Sequence, residues 1–212
     1  MVKAREKIAK RLSKYLPSAS LPYVMDLLFS ESVHFKVTKP RSTKHGDFRP
    51  AHKGKPHRIT VNGNLNQYAF LLTTIHEFAH LTTHVSYGLR VSAHGKEWKS
   101  EFKRLLEPIL DREILPDDIE EALKRSLHNM KASTCTDKNL YRALKRYDDS
   151  ADNSVLLEQL NDRDIFRLGK RVFRRGELRR TRFMCEEINS RRMYLVSGLA
   201  EVERYYETGN ER

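Results

Sequence analysis

The chain has 212 residues, with 40 Lys+Arg against 28 Asp+Glu and a formal net charge of +12. That length is enough for one well-cored domain plus a small module, and it excludes a miniprotein held by staples. Two cysteines, Cys135 and Cys185, far apart and without a partner pattern, exclude both a disulfide framework and a four-cysteine zinc site. The positive balance favours polyanionic partners such as DNA or RNA.

The start, MVKAREKIAKRL, is basic but lacks the apolar core of a secretory signal, and no run of about 18 apolar residues follows. A soluble, cytoplasmic protein without a membrane partner is the expectation. Residues 3–16 read as an amphipathic helix carrying Ile8, Leu12 and Leu16 and closed by Pro17; residues 21–29 read as a second helix with Ser20 as N-cap. ValHisPheLysValThr (33–38) and ArgIleThrValAsn (58–62) are strand candidates, separated by a Gly/Pro/Lys-rich segment, 39–57. If strand 58–62 is an exposed edge, it could bind an extended peptide by strand addition.

From Asn64 or Leu65 to Tyr87 the spacing predicts a helix, with Tyr68, Leu72, Ile75 and Ala79 facing a core and Gly88 as C-terminal cap. Another helix is expected from near Gly95, carrying Trp98, Phe102, Leu105, Leu106 and Ile109, and a shorter one after Pro116. A polar region, 131–154, reads as a linker containing one amphipathic stretch (Leu140, Leu144, Tyr147). Beyond it the period shortens to two, predicting four or five short strands and a small all-β module over 155–212.

TIHEFAHLTTH, residues 74–84, carries the chemistry. Residues four apart on a helix lie one above the other, so His76 and His80 can aim both imidazoles at one zinc, with Glu77 beside it as general base. By chance, an HExxH in a chain of this composition has an expected count of roughly 0.03. A hydrolytic zinc needs a third protein ligand and an open position. His84 lies two turns from His76, about 12 Å along the axis, too far for the same ion. The metzincin pattern would need Gly at 83 and His at 86, where the chain has Thr83 and Ser86.

His94, in SerAlaHisGlyLysGluTrp at the start of the next helix, is the favoured third ligand, and Glu101 remains the alternative, with Glu97 behind it. Tyr87 and Arg90 are both candidates for stabilising an oxyanion, and spacing selects neither. His45, His52 and His57 fall in a basic loop whose spacing fixes no ligand geometry.

HisGluPheAlaHis followed by HisGlyLysGluTrp, preceded by LysHisGlyAspPheArgPro and ArgIleThrValAsnGlyAsnLeu, resembles the SprT-like family of zinc metalloproteases over roughly residues 20–130. The resemblance implies an α+β, zincin-like metalloprotease domain over 1–130. It implies one Zn2+ on His76, His80 and His94, Glu77 as catalytic base, and a protein or peptide substrate. Many members add a four-cysteine ribbon, for which this chain lacks the residues. DNA-associated proteins are the expected substrates by analogy, and a nucleic-acid-binding protein with a structural zinc is the competing reading.

Residues 170–192 hold nine basic residues against three acidic ones, interleaved with Phe173, Phe183 and Tyr194. The aromatics read as core-facing and the arginines as polyanion contacts. Cys185 reads as a small core residue and Cys135 as an unassigned thiol.

Overall fold

The computed structural model describes residues 2–41, 44–128, 137–148 and 154–205. Cys135 lies outside them. The chain divides into two compact units, Met1–Asp148 and Asp149–Arg212. The first mixes helices with a small sheet, and the second is built on an all-antiparallel sheet.

In the first unit, helices α1 (Val2–Leu12) and α2 (Leu21–Ser30) precede strands β1 (Val33–Thr38), β2 (Gly46–Arg49) and β3 (His57–Asn62). The sheet order is β1-β3-β2, with β1 parallel and β2 antiparallel to β3. Strand β3 is therefore the middle strand rather than an edge, which explains why Ile59, Thr60, Val61 and Asn62 are all buried. The edge beside the next helix is β2, a strand inside the segment expected to be irregular. Ser20 caps α2 in position only; its hydroxyl donates backwards to the Pro17 carbonyl.

Helix α3 (Gln67–Tyr87) crosses the core. Its start is fixed by Asn66, whose side-chain oxygen accepts from the Tyr68 and Ala69 N–H groups, two donors that the first turn would otherwise leave unpaired. Its end is fixed by Gly88 at φ 70, whose N–H donates to the His84 carbonyl. Between them Phe70, Leu71, Ile75, Phe78, Ala79 and Leu81 are fully or almost fully buried. Phe70 stacks on Tyr15 and meets Phe35 edge-on, joining helix to sheet.

Helices α4 (Lys96–Leu110), α5 (Asp117–His128) and α6 (Lys138–Lys145) complete the unit. Helix α6, expected within a linker over 131–154, packs on this core through Ala143, Leu140 and Leu144. Asn66 ties it down, donating to the Leu144 carbonyl and to Asp148.

The second unit has strand order β4-β9-β5-β6-β7-β8, comprising β4 (Ser154–Leu156), β5 (Ile165–Leu168), β6 (Arg171–Arg179), β7 (Arg182–Glu187), β8 (Met193–Ser197) and β9 (Glu201–Arg204). Alternation sends Phe173, Phe183, Cys185 and Val196 to one face, where they bury with Phe166, Leu157, Leu160 and Val202. The aromatics and Cys185 thus take the core positions expected of them. No described helix is long and apolar enough to cross a membrane.

A buried polar clamp links β3 to the segment before β2. The Arg41 guanidinium donates from Nε to Asn62 Oδ1 at 2.7 Å and from NH1 to Thr60 Oγ1 at 3.0 Å. The Asn62 amide nitrogen donates in turn to the carbonyls of Arg41 and Lys44. Asn62 is 2% exposed. Asn62→Ala leaves these partners unsatisfied and is expected to cost about 1–3 kcal/mol, seen as a lower urea midpoint at unchanged slope.

Candidate metal centre

The middle of α3 carries His76 and His80 one turn apart, and the chain returns at the start of α4 to bring up His94. The three Nε2 atoms are mutually 3.1 Å apart. Among the described residues this trio is the group placed to hold a metal ion. Tetrahedral zinc with Zn–N bonds of about 2.0–2.1 Å separates its nitrogen ligands by about 3.3–3.4 Å, so the spacing observed fits such an ion closely. Burial, with the other two rings adding opposition, holds the His76 imidazolium pKa down to about 3; burial and His94 hold His80 to about 4, and burial lowers His94. The rings are therefore neutral at physiological pH, the form in which imidazole binds a metal.

His94 reaches the pair through a left-handed backbone, φ 62, just before Gly95 opens α4. Left-handed geometry is uncommon for a non-glycine residue, although histidine is among those enriched there. The wall behind the three rings is Trp98, whose ring centre is 4.7 Å from those of His76 and His94 and 5.3 Å from that of His80. Phe102 stacks on the far side of Trp98 at 4.8 Å. The Trp98 Nε1–H is buried and has no hydrogen-bond partner among the described residues.

Glu77 is 6% exposed. Burial pushes its carboxyl pKa up to about 7, helped by the charge of Asp47, while the Phe48 N–H, Arg41 and Lys44 act in the opposite direction. Asp47 keeps its charge: burial would raise its pKa, but hydrogen bonds from Lys44 and Arg49 outweigh that and hold it below the ordinary value. Strand β2 runs directly against Glu77. A Cβ built on Gly46 would overlap the Glu77 carboxylate and come 2.8 Å from Thr73 Cγ2, so this approach requires glycine. Gly46, Asp47 and Phe48 fall in the LysHisGlyAspPheArgPro stretch that carries the family resemblance, but as a strand they were not expected, because a four-residue GlyAspPheArg run shows no period of its own.

The other candidates lie elsewhere. Glu101 is held by Arg104 through two guanidinium nitrogens and is outside the imidazole trio. Glu97 faces Lys96 at 3.8 Å. His84 packs with His57 and Phe48, ring centres 5.5 and 5.9 Å away. His57 belongs to the start of β3 rather than to a loop, and its Nδ1 accepts from the Ala51 N–H. Tyr87 and Arg90 are exposed at and beyond the end of α3, and the structure singles out neither for an oxyanion.

Two imidazoles from one helix, a third from the turn just before the next and a buried carboxylate beside the first define a candidate three-histidine metal centre in a mixed helix and sheet unit. Residues 21–115, all within the first unit, match the SprT-like family, a family associated with zinc and with metalloprotease-like activity. No curated protein and no solved structure gives a match.

Metal content separates the ligand candidates. Purified His94→Ala is expected to lose most of its zinc, and Glu101→Ala and His84→Ala to keep it, as measured by elemental analysis.

Proposed function

We propose that this protein is a zinc-dependent metallopeptidase with a zincin-like catalytic domain, in which His76, His80 and His94 hold one zinc ion and Glu77 moves the proton. The carrying observation is the convergence of three neutral imidazole Nε2 atoms beside a buried carboxylate whose pKa is displaced towards neutrality. A zinc bound there would supply Lewis acidity, polarising a peptide carbonyl and making water nucleophilic near neutral pH.

Glu77 takes the water proton as general base and returns it to the departing amine as general acid. A carboxyl with its pKa near 7 suits both steps, since it exchanges a proton readily at the working pH. The Phe48 N–H, donating to the carboxylate, holds it in place. Strand β2 supports an extended peptide substrate: its outer edge has no strand partner among the described residues, and strand addition there would lay a peptide beside Glu77. The net charge of +12 supports substrates held on nucleic acid.

The alternative, a nucleic-acid-binding protein with a structural zinc, draws on the same charge. Structural zinc is held by four protein ligands, however, and three converge here among the described residues. That count favours an open, catalytic position.

Glu77→Gln is expected to retain zinc while peptide hydrolysis falls about 10²–10⁴-fold. Undiminished hydrolysis in zinc-loaded Glu77→Gln protein would remove Glu77 from the mechanism. Activity should rise with pH as Glu77 loses its proton, at or below about pH 7 because a bound dication favours the carboxylate. Asp47→Asn removes a repelling negative charge, so Glu77 ionises more easily and the acid limb of the kcat/KM profile moves to lower pH.

A further inference from the structure

The arginines of the second unit are not evenly compensated. Strands β6 and β7 form a hairpin, and at the end formed by the β7–β8 turn their basic residues meet acids. Glu186 receives Arg174 at 3.1 Å and Arg191 at 3.0 Å, and Glu187 faces Arg171 at 3.7 Å. At the β6–β7 tip the balance differs. Arg179 and Arg182 sit directly opposite each other in the ladder, an arrangement in which like charges destabilise the pairing. Between them Arg180 takes a left-handed backbone, φ 58. Glu177, the acid at this end, is bound to Arg179. Arg180 and Arg182 form no ion pair among the described residues.

The strand leading to the tip is shaped as well as charged. The register of β6 on β7 shifts between Arg175 and Leu178, a bulge that bends the strand and increases its twist. It occurs at Gly176, where a Cβ would overlap the Met184 carbonyl. Every residue from Glu177 to Arg182 is exposed.

We propose that the β6–β7 tip, through Arg179, Arg180 and Arg182, docks on the phosphate backbone of a nucleic-acid duplex. A polyanion supplies the counter-charge that the hairpin lacks. Duplex is favoured over single strand because, among the described residues, no exposed aromatic lies at the tip to stack on unpaired bases: Phe166, Phe173 and Phe183 are at most 4% exposed, Tyr194 is half-buried under the Arg171 guanidinium, and the exposed Tyr205, just beyond β9, is covered by Arg167. The surface belongs to the second unit and does not depend on the peptidase reading, so duplex binding can be measured in Glu77→Gln protein.

The test is a salt titration of full-length protein against a labelled mixed-sequence DNA duplex, followed by fluorescence anisotropy. Three variants are compared: the tip triple Arg179→Gln, Arg180→Gln, Arg182→Gln; Arg180→Gln alone; and a control with equal charge loss on α1, Lys3→Gln, Lys7→Gln, Lys10→Gln. Each phosphate contact contributes about 0.9 to the slope of log affinity against log salt. The tip triple should flatten that slope by about 2–3, Arg180→Gln by about 1, and the α1 control by much less. The triple should melt no lower than the parent, since it relieves a like-charge pair; if it melts lower, Arg180→Gln decides.

Equal flattening by the α1 control would mean diffuse charge and overturn the proposal. So would no duplex binding at low salt, tighter binding of the single strand that survives the tip substitutions, or capture by anionic vesicles without duplex binding.

Discussion

The first unit is organised around the burial of ionisable groups in the middle of an apolar helix. His76, Glu77 and His80 lie among Ile75, Phe78, Ala79 and Leu81, where a charge is poorly solvated. Each group answers that constraint by approaching neutrality, the imidazoles by losing their protons easily and the carboxyl by retaining its own. Neutral imidazole is also the ligand form, and a carboxyl poised near neutrality is a useful proton carrier. The desolvation that makes the helix expensive to bury is thus what prepares its side chains.

Holding those groups in register falls to parts of the chain remote from the helix. The Arg41–Asn62–Thr60 clamp secures the approach to β2, β2 presses Gly46 and the Phe48 N–H onto Glu77, and Asp47 sets the local charge. The third imidazole depends on a strained backbone at His94 and on Trp98 behind it. Small errors in any of these would misplace a ring or a proton by distances that matter for coordination, which is why the supporting residues are packed or hydrogen-bonded rather than loosely placed.

Helix α3 was legible from the sequence because it is long, strongly periodic and ends at a glycine; only its start moved, to the residue after Asn66, whose capping side chain marks the boundary. His94 was legible from its place just before a helix start with Trp98 one turn on. Strand β2 was not: four residues in a Gly/Pro/Lys-rich stretch show no reliable period, and their pairing is decided by β3, a tertiary partner. Without β2, whether β3 was an edge or a middle strand stayed open. Strand β4, three residues long, escaped for the same reason. The period of α6 was clear, but Asn66, 78 residues before Leu144, anchors it to the first unit, and no local pattern announces that. In the second unit the alternation correctly sent Phe173 and Phe183 inward, whereas the unequal pairing of the arginines emerged only with the register.

Trp98 is the sole tryptophan in the chain, and its ring centre stands within 5.3 Å of those of all three histidines. Its emission therefore has one source, pressed against the rings whose protonation and coordination define the centre. The protein carries a built-in optical reporter of its candidate metal site, readable without a label.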